Sequence, residues 1–286
     1  MRHFVTGGAG FIGSHLVDKL DGQVTVYDNF STGKLENIKR KDAVVCIGDL
    51  CDYDNLASSM SGHDVVWHLG CNTSVALGNT DIFIDMNTSV IGTFNVLLAM
   101  LANKIGLLAF TSSSTIYGNS PYASIYNSPF PISLYAASKA SAEALIMGFV
   151  QQFGVEAWIY RLTNTVGDRM SKGVIYDFIQ KLRVNPNELV IMGNGKQEKN
   201  YMLVDDCVGA LLSGNPSGLC NVSNKDVISV DQIADIVIEE MGLKNVKKSY
   251  APSWRGDVQT INMIPTIKAQ HSSYESVRIA TRRLLI

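Results

Sequence analysis

The sequence reads Val5-Thr6-Gly7-Gly8-Ala9-Gly10-Phe11-Ile12-Gly13-Ser14 directly after the extended run Arg2-His3-Phe4, and a helical pattern continues to Leu20. This arrangement is typical of a strand that turns sharply into a helix. Gly7 suits the tight turn, Gly10 lets a phosphate approach the backbone, and Gly13 lets the helix pack close to the sheet. The free N–H groups and the positive dipole end of the helix then face a pyrophosphate. The stretch predicts that a dinucleotide binds at this turn.

An acidic residue at the end of the second apolar run supports that prediction. Val24-Thr25-Val26-Tyr27 is β-strand-like and ends in Asp28. A carboxylate at this point accepts hydrogen bonds from the hydroxyls of the adenosine ribose. It also repels a 2′-phosphate, so the sequence predicts NAD rather than NADP as the cofactor.

Length and composition are those of a folded chain with a sizeable core. The chain has 286 residues, of which 46% are hydrophobic and 17% are charged. The formal net charge of −2 gives no basic footprint, so we expect no nucleic-acid partner. Polar residues interrupt the apolar stretches and no signal-peptide pattern is visible, so we expect no membrane partner and a cytoplasmic location.

Five scattered cysteines without a Cys-x-x-Cys pair favour reduced thiols, and we expect no metal site.

Apolar, β-branched runs alternate with helix-like segments through the first half of the chain. Strands are expected at residues 64–69 and 106–111, and long helices at about 82–101 and 134–153. The repeated strand–helix units predict an α/β fold with a Rossmann-type doubly wound parallel sheet and right-handed crossovers. In such a sheet, ligands bind beyond the carboxyl ends of the strands.

From about Thr165 the elements become shorter and turn signals such as Gly193-Asn194-Gly195 become frequent. We interpret this part as a smaller C-terminal α/β substrate domain that closes over the strand ends. The predicted division is an NAD-binding Rossmann domain at 1–164, with a sheet return at about 201–228, and a substrate-binding domain at 165–200 and 229–286. Asp205-Asp206 precedes Cys207 to Leu212 and predicts an N-capped helix.

Tyr135 and Lys139 stand four residues apart within a helical pattern, so they lie on one face of the helix. A phenol titrates near pH 10 and is a poor base at neutral pH. A nearby ammonium and the positive nicotinamide of bound NAD⁺ would lower the pKa of Tyr135 and favour the phenolate. Tyr135 would then take a proton from a sugar or alcohol hydroxyl. Tyr-x-x-x-Lys alone is a common pattern, and the preceding dinucleotide motif gives it weight.

Ser112-Ser113-Ser114-Thr115 forms a serine-rich strand end, where one hydroxyl can stabilise the alkoxide-like charge of a transition state. A serine nucleophile is not expected, because no histidine lies in a suggestive motif nearby. His68 closes an apolar strand, and we expect a structural role in which a backbone group satisfies the ring.

These motifs together resemble the extended short-chain dehydrogenase/reductases, and within them the NAD-dependent nucleotide-sugar epimerase/dehydratase group, particularly the UDP-glucose 4-epimerases. The resemblance covers nearly the whole chain. Beyond the motifs above, it rests on Tyr27 to Gly33, Gly48-Asp49-Leu50, Ile116-Tyr117-Gly118, Arg161-Leu162-Thr163-Asn164, Met192 to Gln197, Val204-Asp205-Asp206 and Gly256-Asp257-Val258.

The resemblance implies a tightly held NAD and assigns roles to individual residues. It assigns catalysis to Ser113, Tyr135 and Lys139. It implies that the cofactor is bound by Gly7, Gly10, Phe11, Ile12, Gly13, Asp28, Asn29, Phe30, Ser31, Thr32, Gly33, Asp49, Leu50, Leu69, Gly70, Cys71, Thr73, Ser112, Tyr135, Lys139 and Thr163. It implies that the substrate is bound by Ser113, Tyr135, Asn164, Val174, Met192, Lys199 and Arg255. Lys199 stands where the family commonly has an arginine, and Arg255 is displaced by one position from the second family arginine.

The implied reaction interconverts UDP-glucose and UDP-galactose through a 4-keto sugar, with transient hydride transfer to NAD, in a homodimer that binds a UDP-sugar. Dehydratases of this group carry an Asp-Glu pair where this chain has Ser114-Thr115, and UDP-glucuronate decarboxylases carry a Glu at the Thr115 position. The absence of these acids favours epimerisation. Two alternatives stay open within enzymes, namely an NAD-dependent oxidoreductase and an epimerase of another nucleotide sugar, such as a UDP-N-acetylhexosamine or a UDP-uronic acid. A third is a non-catalytic dinucleotide-sensing module, because the fold does not fix the function.

Overall fold

Eight parallel strands form the main sheet of the computed structural model, which describes residues 1–73, 77–214 and 218–286. The described residues form strands β1 (Arg2–Thr6), β2 (Gln23–Asp28), β3 (Val44–Ile47), β4 (Val65–His68), β5 (Leu107–Ser113), β6 (Ser120–Ala123), β7 (Glu156–Leu162), β8 (Asn164–Val166), β9 (Glu188–Met192), β10 (Glu198–Lys199), β11 (Tyr201–Leu203), β12 (Leu219–Ser223), β13 (Ile228–Ser229), β14 (Lys247–Ala251), β15 (Thr260–Met263) and β16 (Ile267–Lys268). The main sheet has the order β16-β12-β7-β5-β4-β1-β2-β3, and each neighbouring pair is parallel.

The α-helical segments of the described chain are α1 (Phe11–Lys19), α2 (Tyr53–Ser59), α3 (Phe83–Asp85), α4 (Gly92–Ala102), α5 (Leu134–Phe153), α6 (Val174–Val184), α7 (Val204–Leu212), α8 (Val230–Glu240) and α9 (Ser273–Leu285). A π-helical segment, Met86–Ile91, joins α3 to α4. Helix α5 begins after Ser133, whose hydroxyl accepts a hydrogen bond from the Ala136 N–H, and it ends at Gly154, which has a positive φ.

Two apolar clusters cover the two faces of the main sheet. On one face, α1 and α7 pack through Leu16, Val17 and Val208 against the strands. On the other face, α2, α4 and α5 contribute residues that include Leu97 and Ile146. A third cluster holds α6, α8 and α9 together with β9 and β11. These layers confirm the predicted α/β fold with a doubly wound parallel sheet.

The strand order reverses at β1, because β2 and β3 extend the sheet to one side and β4, β5, β7, β12 and β16 to the other. Such a switch point opens a crevice beyond the carboxyl ends of the central strands. Thr6 is opposite Tyr27 on β2 and His68 on β4, so the glycine turn begins at this crevice.

Three elements differ from the sequence expectations. The predicted helix at 82–101 is a short α-helical turn, the π-helical segment and α4. Asp205 and Asp206 do not cap α7, because both lie in its first turn and Leu203 occupies the cap position without a side-chain bond. Ile267–Lys268 falls within the segment assigned to the substrate domain, yet it pairs with β12 in the main sheet because the chain returns beside that strand after β15. The division into two domains stays a prediction.

Of the described helices, the stretch Phe83–Ala102 has the length and composition to cross a membrane. A core helix of a folded protein meets the same test, and α4 packs against α2 and α5.

Candidate functional site

The glycine turn packs directly against the end of β4. Gly7 has a φ of +67° and donates its N–H to the Tyr27 carbonyl at 2.9 Å. A Cβ added at Gly7 would lie 2.7 Å from the Gly70 nitrogen. A Cβ added at Gly13 would overlap the Gly7 carbonyl oxygen and would lie 2.9 Å from the Gly8 Cα. The backbone is therefore packed so closely at Gly7 and Gly13 that no side chain fits, as the motif predicts.

The Asp28 carboxylate is fixed at the switch point by two backbone donors. One oxygen accepts a hydrogen bond from the Ala9 N–H at 3.0 Å, and the other accepts one from the Phe30 N–H at 2.9 Å. Burial raises the pKa of Asp28, while these two hydrogen bonds lower it. Each carboxylate oxygen can accept a second hydrogen bond, so the group retains acceptors for ribose hydroxyls. The chemistry of this site fits the adenosine half of NAD.

The loop after Asp28 folds back onto the glycine turn. The Lys34 N–H donates to the Ala9 carbonyl at 3.1 Å, and a Cβ added at Gly33 would lie 2.9 Å from the Ala9 carbonyl carbon. Phe30 has a φ of +55°, and the Ser31 N–H is held by the Asn29 side chain at 3.0 Å. The structure thus brings the predicted loop residues from Asn29 to Gly33, including Thr32, beside the turn.

Asp49 and Leu50 close the other side of this region. The Asn29 amide donates to the Asp49 carboxylate at 2.8 Å, and the Tyr27 hydroxyl donates to the Asp49 carbonyl at 3.0 Å. The Cys51 N–H also donates to this carboxylate and is the main reason that the pKa of Asp49 is lowered. Leu50 lies so close to Gly70 that a Cβ added there would be 3.0 Å from its Cδ1.

The other predicted cofactor residues near the turn are held by backbone hydrogen bonds or are partly buried beside it. Leu69 and Gly70 donate their N–H groups to the Thr6 carbonyl at 3.1 Å and to the Thr6 hydroxyl at 3.2 Å. The Phe11 ring packs edge-on against His15, with 5.8 Å between centroids, and Gly10 and Ile12 are partly buried beside it. Thr73 is exposed at the border of the described residues.

We expect Asp28→Asn to weaken NAD binding by about tenfold and to reduce discrimination against NADP, because the variant loses the charge that faces the ribose. Equilibrium binding of NAD and NADP measures both effects. The matched control is Asp21→Asn, an exposed acid before β2, which should bind NAD like the unmodified protein. Unchanged affinities for both dinucleotides in Asp28→Asn would rule out the assigned role.

Ser113, Tyr135 and Lys139 meet at the carboxyl end of β5. Ser113 ends the strand and Tyr135 lies in the first turn of α5, where the Ser113 hydroxyl lowers the pKa of the Tyr135 phenol. The buried Lys139 ammonium, one turn further along α5, donates to the Thr111 carbonyl at 2.8 Å. It also lies 4.7 Å from the centroid of the Phe110 ring. The three predicted catalytic residues therefore share one corner of the crevice.

The protein groups alone raise the pKa of Tyr135. Burial is the main cause, and the negative forms of Cys71 and Asp85 add to it. Of the causes identified, the neighbouring Ser113 hydroxyl is the one that lowers the pKa of Tyr135. The lowered pKa expected from the sequence includes the charge of bound NAD⁺ and stays a prediction.

His68 is a buried structural residue beneath this corner. Its Nδ1 lies 2.7 Å from the Thr6 hydroxyl, and its Nε2 lies 3.0 Å from the Thr93 hydroxyl. The expected structural role holds, but hydroxyl groups rather than a backbone group contact the ring nitrogens. Burial, with a contribution from the Lys139 charge, lowers the pKa of His68 to about 3, so the ring is neutral at physiological pH.

A buried ion pair supports the serine-rich strand end and was not expected from the sequence. Arg161 donates to both carboxylate oxygens of Glu143, at distances from 2.7 to 3.2 Å, and to the Tyr117 hydroxyl at 2.7 Å. The Ser112 hydroxyl donates to Glu143, so this predicted cofactor contact is directed toward α5. Glu143 lies four residues after Lys139, and this spacing is the sequence signal that places both side chains on one helix face.

Apart from Ser113 and Tyr135, the predicted substrate residues lie in a second group, toward the C-terminal elements. Asn164 donates to the Asn200 carbonyl at 3.1 Å, and the predicted cofactor residue Thr163 donates to the same carbonyl at 2.7 Å. Val174 begins α6, and Met192 ends β9 with an exposed side chain.

The Lys199 ammonium pairs with Asp257 at 3.2 Å, and Arg255 lies two residues before that acid. A Cβ added at Gly256 would lie 3.1 Å from the Ile132 carbonyl oxygen, so this loop reaches the start of α5. Asp257, which was not among the predicted site residues, thus links Lys199 to the Arg255 loop, and Gly256 brings this loop against the start of α5.

All five cysteines are free, and no group of three or more His, Cys, Asp or Glu side chains suited to a metal ion occurs among the described residues.

Comparisons with known proteins agree with this geometry. A model of the NAD dependent epimerase/dehydratase family matches residues 3–213. The chain is 34% identical over 257 residues to UDP-glucuronic acid decarboxylase 1 of Arabidopsis thaliana, an alignment that covers 84% of this chain but only 58% of that protein. It is 33% identical over 253 residues to a putative UDP-glucose 4-epimerase of Methanocaldococcus jannaschii, which covers 84% of this chain and 82% of that protein. The crystal structure of a UDP-galactose 4-epimerase superposes with a TM-score of 0.91 at 37% identity and covers 100% of this chain and 99% of that one.

The family match spans more than half of the chain and includes the glycine turn, Asp28 and the Ser113, Tyr135 and Lys139 corner. The chain belongs to the NAD-dependent epimerase/dehydratase family, and NAD is its cofactor.

Proposed function

We propose that the chain is a UDP-hexose 4-epimerase that interconverts UDP-glucose and UDP-galactose. The observation that carries the proposal is the corner formed by Ser113, Tyr135 and Lys139. The adjoining turn offers hydroxyl groups rather than carboxyl groups, since Ser113 and Thr115 share a hydrogen bond of 2.9 Å and Ser114 is buried. Proton transfer to and from one hydroxyl needs a single acid/base, whereas elimination of a second group needs another.

In this proposal, each side chain has one task. Tyr135 removes the proton from the sugar O4 hydroxyl and later returns it. Ser113 holds the same oxygen through a hydrogen bond and stabilises its developing negative charge. Lys139, fixed by the Thr111 carbonyl, keeps a positive charge beside the phenol. Bound NAD supplies the hydride acceptor and donor for sugar C4. The cationic side chains of Lys199 and Arg255 bind the UDP part, and Asp257 holds the Lys199 ammonium in place.

A second candidate is decarboxylation of a UDP-uronic acid, and the similarity to the plant decarboxylase favours it. That reaction shares the oxidation at C4 and then releases CO₂. The two candidates differ in their products, so one set of assays separates them.

The experiment incubates the purified protein with UDP-galactose, and separately with UDP-glucuronic acid, without added NAD. We expect UDP-glucose to form from UDP-galactose, because the cofactor is regenerated in every turnover. CO₂ release from UDP-glucuronic acid, with no conversion of UDP-galactose, would reject epimerisation and identify the chain as a decarboxylase. Stoichiometric accumulation of NADH would identify an oxidoreductase, and no product with NAD bound would reject all three.

We also propose that the chain works as a homodimer through the outer faces of α4 and α5. Phe94, Met147 and Phe153 are exposed there, and Phe94 packs edge-on against Phe149 at 6.0 Å between centroids. A second copy of this face would cover the exposed apolar side chains. Light scattering at micromolar concentration should give the mass of two chains, and a monomer mass would reject the proposal. The cytoplasmic location stays a prediction.

A further inference from the structure

A buried ion pair joins the helix that carries Tyr135 to the strand that carries Ser113. Glu143 lies on α5 and Arg161 on β7, and their side chains are 8% and 5% exposed. Arg161 donates to one carboxylate oxygen from Nη2 at 2.7 Å and to the other from Nε at 3.0 Å. The Ser112 hydroxyl donates to the same carboxylate. The Glu143 carboxylate is therefore a shared acceptor that connects α5 to β5 and β7.

The end of β5 contacts α5 through two hydrogen bonds from successive residues. The Lys139 ammonium donates to a β5 carbonyl at 2.8 Å, and the Ser112 hydroxyl donates to Glu143, one helical turn further along α5. Both strand positions directly precede Ser113, and both helix residues lie on the face that carries Tyr135. Two bonds at successive positions restrain both the sliding and the rotation of the helix against the strand.

The network continues from Arg161 to the turn that follows β5. Its Nη1 donates to the Tyr117 hydroxyl at 2.7 Å, and the guanidinium lies 5.0 Å from the centroid of that ring. Tyr117 ends the turn and donates to the Asn221 side chain on β12 at 2.8 Å. The Asn221 amide donates to the Ala123 and Ile264 carbonyls, both at 3.1 Å. Arg161 thus holds the helix and the turn at the same time.

The chemistry of the pair suits fixed geometry better than stability. A buried ion pair is often no more stable than apolar side chains of similar volume, because both charges lose their hydration. A guanidinium, however, directs its donors in a rigid planar fork, and a carboxylate accepts two of them in one defined orientation. The Glu143 and Arg161 pair therefore contributes directed contacts between three elements that surround the proposed catalytic corner.

We propose that Glu143 and Arg161 are positioning residues that fix Tyr135 relative to Ser113 by holding α5 against the end of β5. The proposal deepens the proposed function and rests on it for the reaction that the corner carries out. Both residues act through the corner rather than on the substrate. A small shift of α5 would misalign the groups that transfer the proton and would slow the chemical step, while the UDP-binding side chains on other elements stay in place.

The test compares unmodified protein with the double variant Glu143→Leu, Arg161→Met, using UDP-galactose with hydrogen or deuterium at C4. We expect kcat to fall by about 10- to 100-fold and KM to change by less than about threefold. The isotope effect on kcat should rise, because the chemical step then limits turnover. The double change leaves no unpaired charge, so the urea midpoint should stay near that of the unmodified chain.

The matched control is Glu240→Leu, Arg278→Met, which removes an ion pair of 2.6 Å between α8 and α9. Its side chains are 11% and 22% exposed, and its loss should change neither kcat nor the isotope effect. A merely structural role for Glu143 and Arg161 would lower the active fraction and leave the isotope effect unchanged. That result, or an unchanged kcat, would overturn the proposal.

A milder variant decides the question if the double variant does not fold. Arg161→Lys keeps the positive charge but has one ammonium in place of the fork, so it cannot hold Glu143 and Tyr117 in the same way. We expect its kcat to fall by roughly fivefold or more with a raised isotope effect. Values equal to those of the unmodified chain would overturn the proposal.

Amide hydrogen exchange in NAD-loaded protein provides a second measurement that needs no substrate. In the double variant, or in Arg161→Lys if the double variant does not fold, exchange should be about tenfold faster at the end of β5 and in the first three turns of α5, and unchanged on α8. Unchanged exchange at the corner would overturn the positioning role. Failure of the unmodified chain to convert UDP-galactose would reject epimerisation, and the exchange data would then decide the positioning role separately.

Discussion

Replacing Tyr135 with phenylalanine is expected to lower the turnover of UDP-galactose by about 10²- to 10⁴-fold while NAD stays bound. The variant keeps the aromatic ring and removes only the phenol hydroxyl, the proposed acid/base. Because the proposed contacts of the adenosine half of NAD lie at the glycine turn and Asp28, and phenylalanine keeps the ring of Tyr135, cofactor content should not change. Turnover is measured by separating the two UDP-sugars, and bound NAD is measured after denaturing the protein.

The control for this prediction is Tyr122→Phe. Tyr122 is exposed on β6 and should tolerate the change without an effect on turnover. If Tyr135→Phe retains turnover within a few-fold of the unmodified chain, then Tyr135 is not the acid/base and another group must transfer the proton. Loss of bound NAD in this variant would instead show that the phenol holds the cofactor.

Gly13→Ala is expected to abolish NAD binding and to destabilise the fold by about 1–3 kcal/mol. The added Cβ would overlap the Gly7 carbonyl oxygen and approach the Gly8 Cα at 2.9 Å. Since the obstructing atoms belong to the backbone of the turn, they move only if the turn itself changes shape. NAD content after purification and urea unfolding of the NAD-free protein measure the two effects separately.

Gly209→Ala provides the matched control, because Gly209 also lies inside a helix and a Cβ added there meets nothing within 4 Å. This variant should bind NAD normally and gain roughly 0.5–1 kcal/mol of stability, since alanine favours the helix over glycine. Normal NAD binding by Gly13→Ala would contradict the view that close packing at the turn shapes the cofactor site.

The parts that could be predicted from the sequence depend on local pattern. The glycine spacing predicts the first turn because the backbone at Gly7 and Gly13 leaves no room for a side chain. The period of the apolar residues predicts the helix that the structure has as α5 at residues 134–153. Ser113, Tyr135 and Lys139 were found because family motifs mark them, and the fold brings them to one corner of the sheet.

The parts that could not be predicted depend on partners far away in the sequence. The Glu143 and Arg161 pair joins a helix to a strand, and the direction of the Lys139 ammonium is set by a carbonyl on β5. No local pattern encodes such contacts.

The most direct test of the central claim uses UDP-galactose that carries deuterium at C4, incubated with the purified protein without added NAD. If one Tyr135-centred site removes and returns the same hydrogen, the UDP-glucose formed will retain the deuterium at C4 and no free NADH will accumulate. Loss of the label to water, or one equivalent of deuterated NADH released for each sugar oxidised, would contradict the account.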